Sequence, residues 1–268
     1  MDGEALAQLE LVTRITYSGV ANLPQDDEDF GEVFEAAMSG NPRAQLAMMI
    51  LSRHFDASDL SNLSRSEGLD HLEVLELRGH QFGDEGAATF RSAVHFPALK
   101  HLDLSGNLIH DHGAELFSLA PFLPGLRVLR LGHNAIGDIG CAALATRSGF
   151  EELRELDLSE NAIQDYGLRM ILDMGWMEGL ERLNLSRTLI GPDGVHALTR
   201  DDAVRNLRHL DLRSCPIEDS GVRALADSPH LSNLETLRVS FYGISPEVVD
   251  AFFASPYLSE TALVSSTR

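Results

Sequence analysis

The sequence predicts an α/β solenoid: a horseshoe of stacked units with a parallel β-sheet on its concave face, helices on its convex face, and a helical N-terminal cap. The motif leucine-x-x-leucine-x-leucine opens at Leu72, Leu99, Leu126, Leu153, Leu180, Leu207 and Leu234, every 27 residues. A fixed period of that length marks units that bury their apolar face only by stacking on their neighbours. Inside each unit the alternation of the leucines gives way to isoleucine, aspartate and glycine at fixed places, a strand that turns into a helix.

Residues 1–44 lack the motif. The acidic run Asp26, Asp27, Glu28, Asp29 precedes Phe30, Val33, Phe34 and Ala37, which sit at helical spacing. Such a run complements the amino end of a helix dipole, so one short amphipathic helix is expected there. Gly40 breaks it, and Asn41 and Pro42 suit the cap and first position of another helix carrying Leu46, Met49 and Ile50. Residues 5–16 fit helix or strand. The period laid backward puts Met48 and Ile50 on motif leucines, so 45–71 reads as a degenerate junction repeat whose first half is strand or cap helix. A polar-faced cap is what a solenoid end requires.

From 72 to 260 the columns explain themselves, counting the motif leucine as position one. Positions one, four and six are leucine in all seven repeats except Val239, and position eleven is isoleucine in six, with Phe82 in the first. These form the core. Position fifteen is glycine six times, from Gly86 to Gly221, where a side chain would hold the helix start off the strand turn. Asp84, Asp111, Asp138, Asp165 and Asp219 at position thirteen suit helix caps, with Pro192 and Pro246 replacing them elsewhere. The helix should end near position 21, with an apolar anchor at position 25: Phe96, Leu123, Phe150, Met177, Val204, Leu231, Leu258. Phe252, Phe253 and Tyr257 are expected to close the far end, leaving 261–268 as a tail.

Composition narrows the partners. The formal charge is −20, Lys100 is the one lysine, and nucleic acid and anionic membranes are disfavoured. Met1-Asp2-Gly3-Glu4 lacks the basic start of a secretory signal, and no apolar run reaches the roughly 18 residues of a membrane span. A cytoplasmic location is expected. Cys141 and Cys215 lie in different columns three repeats apart, about 14 Å at the strand spacing, too far for a disulfide.

The stretch Leu156-Asp157-Leu158-Ser159-Glu160-Asn161-Ala162-Ile163-Gln164-Asp165-Tyr166-Gly167 resembles the ribonuclease-inhibitor-like subclass of leucine-rich repeats. Ser214-Cys215-Pro216-Ile217-Glu218-Asp219-Ser220-Gly221 leans toward the related cysteine-containing subclass. The 27-residue length, with phrases such as Ala224-Leu225-Ala226-Asp227-Ser228-Pro229-His230-Leu231, is similar to repeats of many large-genome bacteria. The resemblance covers about 72–258 and implies a leucine-rich-repeat solenoid that binds protein.

In such a solenoid the residues between the leucines look outward from the sheet. Positions three, five, seven and eight should form four columns. They carry six arginines, Arg78, Arg130, Arg182, Arg187, Arg213 and Arg238, and six acids, Glu76, Asp103, Glu155, Asp157, Glu160 and Asp211. With His101, His133, Asn184, His209 and Phe241 they make a balanced, arginine-bearing mosaic of the kind protein interfaces favour. Cross-strand pairing of opposite charges is the plainer explanation of the same residues. A non-enzymatic module binding a protein through the concave face is the leading expectation, with no cofactor and no metal, and with dimerisation through the open C-terminal end as an option.

Asn107, Asn134 and Asn161 at position nine read as a ladder bonding turn carbonyls of adjacent repeats, with Cys215 and Thr188 as substitutes. His110, Asp111 and His112 resemble a metal triplet, but neighbours in sequence point apart and Asp111 has a capping role. Trp176 reads as packing over helix ends. The rival function is regulation of an enzyme, by analogy with Ran GTPase-activating proteins, whose mark here would be an exposed arginine on a repeat edge.

Overall fold

The computed structural model describes residues 14–18, 57–64, 72–93, 96–146 and 149–259. Alternation of leucine with polar residues makes each motif a short strand with one face in the core. The strands are Arg14–Ser18 (β1), Val74–Arg78 (β2), His101–Asp103 (β3), Val128–Arg130 (β4), Glu155–Asp157 (β5), Arg182–Asn184 (β6), His209–Leu212 (β7) and Thr236–Val239 (β8). They form one parallel sheet in sequence order. From β2 onward each residue pairs with the one 27 places on, as Leu75 with Leu102, Leu129 with Leu156 and Leu183 with Leu210. The repeat in the sequence is therefore a column in space.

The helices are Ala57–Ser64 (α1), Gly83–Thr89 (α2), Asp111–Phe117 (α3), Asp138–Thr146 (α4), Asp165–Leu172 (α5), Pro192–Leu198 (α6), Glu218–Ala226 (α7) and Pro246–Phe253 (α8). Each packs on the next along the stack. None is long and apolar enough to cross a membrane. The expected α/β solenoid is what the chain adopts.

The core is one continuous cluster built from the expected columns. Leu102, Leu129, Leu158, Leu185, Ile136, Ile163 and Ile190 are buried, and so is every apolar anchor at position 25. A large apolar side chain contributes about 1.5–3 kcal/mol on burial, and most of that burial is against the neighbouring repeat, so a lone unit would not hold. Phe90 sits edge-on to Phe117 and to Phe122, 5.8 Å between ring centres in both cases. Phe252 closes the far end against Phe241 at 5.2 Å, whereas Phe253 and Tyr257 remain 45 % and 40 % exposed.

The strand beside β2 is β1, which pairs Arg14 with Val74 and Ser18 with Arg78. Ile15 and Tyr17 thereby take the register positions of motif leucines Leu75 and Leu77. The 14–16 part of the ambiguous segment is thus strand. Met48 and Ile50, expected on the same slot as strand or cap helix, and the helix expected from Phe30 lie outside the described residues. In α1, Leu60 is fully buried.

Position thirteen departs from expectation in its partner. None of the described aspartates there bonds its own helix; each accepts from the following repeat. Asp111 Oδ1 takes Gly137 N at 2.6 Å and Gly140 N at 2.9 Å, and Asp138 Oδ1 takes Gln164 N at 2.8 Å and Gly167 N at 3.0 Å. The open amino ends of α3, α4, α5, α6 and α8 thus take an aspartate from the unit before them. The aspartate adds a second reason for the glycine: a Cβ on Gly140 or Gly167 would come within 2.7 or 2.5 Å of that aspartate oxygen, as well as within 2.8 or 3.1 Å of the Cγ2 of Ile136 or Ile163 in the turn of its own repeat.

Candidate functional site

The polar face of the sheet holds an open depression of about 600 Å³ whose lining includes Arg78, Asp103, Arg130, Glu155, Asp157, Arg182, Asn184, His209, Asp211 and Arg238. Strand alternation puts them there, since positions three and five flank the buried leucine at four. Arg213 joins this group through Asp211.

Here the acids are already engaged. Arg130 Nη2 reaches Glu155 Oε1 at 2.7 Å, and its Nη1 lies 4.0 Å from Asp103 Oδ2, which is nearly buried. Asp157 accepts from Ser159 N at 2.8 Å, Ser159 Oγ at 2.6 Å and Asn184 Nδ2 at 3.0 Å. Asp211 Oδ2 receives Arg213 Nη2 at 2.7 Å and has Arg238 Nη1 3.6 Å away. Glu76 faces His101 Nε2 at 3.6 Å. Cross-strand charge pairing therefore accounts for Arg130 and Arg238, and pairing with Asp211 two residues before it in the same repeat accounts for Arg213. Neither accounts for Arg182 or Arg78, which are exposed and have no acid within 4.0 Å among the described residues.

Burial, reinforced by the Arg130 guanidinium, holds His101 below the ordinary histidine range. Burial and then Arg182 do the same to His209. Both rings are biased toward the neutral form, which suits a site that contacts groups by hydrogen bonding rather than by imidazolium charge.

Position eight leaves the face. The strands end near position five to seven, and the residue at eight has positive φ at His133 (54°), Glu160 (53°) and Arg187 (57°), as it does at Gly106 (71°). That left-handed residue swings the chain toward the helix and carries its side chain into the turn. His133 and Arg187 consequently lie beside Glu160 in a separate groove, at 3.1 and 3.3 Å from its two carboxylate oxygens. Phe241, expected on the face, is 8 % exposed and packs on Phe252 and Phe253. The groove escaped sequence reading, although the shared column of position-eight residues with flanking apolar position ten was its available sign.

The asparagines do form a ladder. Asn134 Oδ1 accepts from Asn107 N at 2.9 Å and Ile109 N at 3.0 Å, while its Nδ2 donates to Leu104 O and Leu131 O at 3.1 and 2.9 Å. Cys215 substitutes in that column, its thiol 3.1 Å from Leu185 O, and burial pushes the thiol up, away from a nucleophilic thiolate. Cys141 is buried, and neither cysteine is in a disulfide. Asp111 spends its oxygen on the next helix, and His110 and His112 face Asp84 and Glu115. Trp176 stacks edge-on against Phe150, 5.4 Å between centres, as packing over the helix ends requires.

A family model described as leucine rich repeat matches residues 69–90, 97–118, 124–145, 153–172 and 205–226. These stretches coincide with five of the seven strand–helix units from β2 onward. No curated protein matches the chain.

Proposed function

We propose that this chain, a leucine-rich-repeat protein, is a non-enzymatic, cytoplasmic interaction module that binds a protein partner through the polar face of its sheet. Its 27-residue unit fits the ribonuclease-inhibitor-like subclass best. One observation carries the functional reading: on a face whose acids are each held by a neighbour, Arg182 stands exposed with no acid within 4.0 Å among the described residues. An arginine presents five donors in a rigid fork and is weakly hydrated, which makes it a frequent anchor at interfaces. The acids around it hold the paired arginines in place.

Capture at low salt with the wild-type chain and with Arg182→Glu as baits tests this. A stoichiometric protein held by the wild type should be lost with Arg182→Glu and retained by Arg205→Glu, a control in the 3-10 turn Asp202–Asn206. Equal capture by all three, with all three folded by circular dichroism, would remove the sheet face from the account.

The rival reading, a regulator of the Ran GTPase-activating kind, gains one point of support. Arg187 is an arginine on a repeat-edge turn with a side chain 65 % exposed, though Glu160 holds its Nη1. GTP turnover by candidate GTPases, with the wild type and with Arg187→Ala, separates the two: acceleration that Arg187→Ala abolishes favours the regulator.

A further inference from the structure

Away from the C-terminal end, the described chain exposes four large apolar side chains: Leu108 (51 %), Ile139 (70 %), Tyr166 (59 %) and Leu189 (56 %). None is on the sheet face. All four lie where the chain passes from strand to helix, at position ten (Leu108, Leu189) or fourteen (Ile139, Tyr166) of their repeats. Leu108 and Leu189 flank an open groove of about 600 Å³ floored by Ala135 and Ala162. Its rim is the His133, Glu160, Arg187 row.

The left-handed turn is common to the repeats, at Ser214 as well, and along this groove it carries large side chains. Leu108 has φ 60° as well as half its surface in water, and His133, Glu160 and Arg187 hold side chains at a left-handed turn that glycine occupies at Gly79 and Gly106. Glycine adopts that conformation without steric cost, whereas a residue with a Cβ does not.

The rim defines the charge of what it can receive. Both oxygens of Glu160 are occupied, Oε2 by His133 Nδ1 at 3.1 Å and Oε1 by Arg187 Nη1 at 3.3 Å. The amides of Asn134 and Asn161 are spent on the ladder. What remains unfilled is donor capacity, on Arg187 above all, whose side chain is 65 % exposed. A carboxylate complements it. The floor between Leu108 and Leu189 spans three strand spacings, about 15 Å, which four or five residues of extended chain cover at about 3.3 Å each.

We propose that this groove is a second binding site, separate from the sheet face, for a short extended peptide segment of a partner protein. The segment sets an apolar side chain on the Ala135 and Ala162 floor between the two leucines and an aspartate or glutamate against Arg187.

A random-sequence peptide display library selected on the full chain tests the proposal, with the affinity of an enriched, fluorescein-labelled peptide followed by anisotropy. Enriched sequences should pair an apolar residue with an acid. Leu189→Ser should weaken the peptide at least tenfold, Arg182→Glu should change it less than twofold, and reselection on Arg187→Glu should replace the acid with lysine or arginine. All three replaced side chains are exposed, so these variants keep the fold. An empty selection, or binding indifferent to Leu189→Ser and Arg187→Glu, overturns the site. Binding lost only with Arg182→Glu also overturns it and leaves the sheet-face reading standing.

Discussion

At the scale of single residues, the repeat makes its exceptions informative. Position nine is asparagine where the ladder runs, and its first occupant is His80. Burial pushes that imidazole down to about 4 from its ordinary 6.5. Between these values the unfolded chain binds a proton that the folded chain refuses, so stability falls as pH falls from about 6.5 toward 4 and is flat above. His101 and His209, also held low, act in the same direction. Urea unfolding at pH 7.5, 6 and 5 should show this decline, and His80→Asn should flatten it; identical slopes would show that His80 does not contribute. The core columns and the ladder were legible in the sequence because each type recurs with one role at one place. Phe241 was not, because it packs on Phe252 and Phe253 at the end of the stack, a contact that the period of the internal repeats does not report.

Between elements, the joints are what the sequence hid. The aspartate of one repeat and the glycine of the next are 29 residues apart, as Asp138 and Gly167 are, and together they close a helix amino end. Read within one unit, the aspartate looks like a cap of its own helix. Gly167→Ala should drive a methyl to within 2.5 Å of Asp138 Oδ1 and break its two backbone bonds. A loss of about 2–3 kcal/mol is expected, overpacking and lost bonds outweighing the gain in helix propensity. Gly221 follows Pro192 instead of an aspartate, and its nearest neighbour would be the Cβ of Ile217 at 3.1 Å. Gly221→Ala should change stability by less than about 1 kcal/mol, since propensity and crowding offset. Urea midpoints compare the two; equal losses would detach the glycine column from the aspartates. The edge strand β1 was obscured for another reason. Its five residues alternate correctly, but a partner 60 residues away leaves no local mark, and the period pointed to Met48 and Ile50 instead.

Across the whole molecule, a charge of −20 coexists with a sheet face that is balanced and arginine-bearing. At physiological ionic strength charges beyond roughly 8 Å are screened, so a partner docking there meets the local pattern and not the net charge. The columns of this face were legible; which arginines are free was not, because pairing depends on side-chain geometry across three strands. That distinction is open to arginine-selective labelling with phenylglyoxal, read by mass spectrometry, on the chain alone and bound to a captured partner. Arg182 and Arg78 should be modified first in the free chain, Arg130 and Arg213 slowly, and the partner should protect Arg182. Uniform labelling of the four, or a complex in which Arg182 reacts as fast as in the free chain, would contradict the sheet face as the recognition surface.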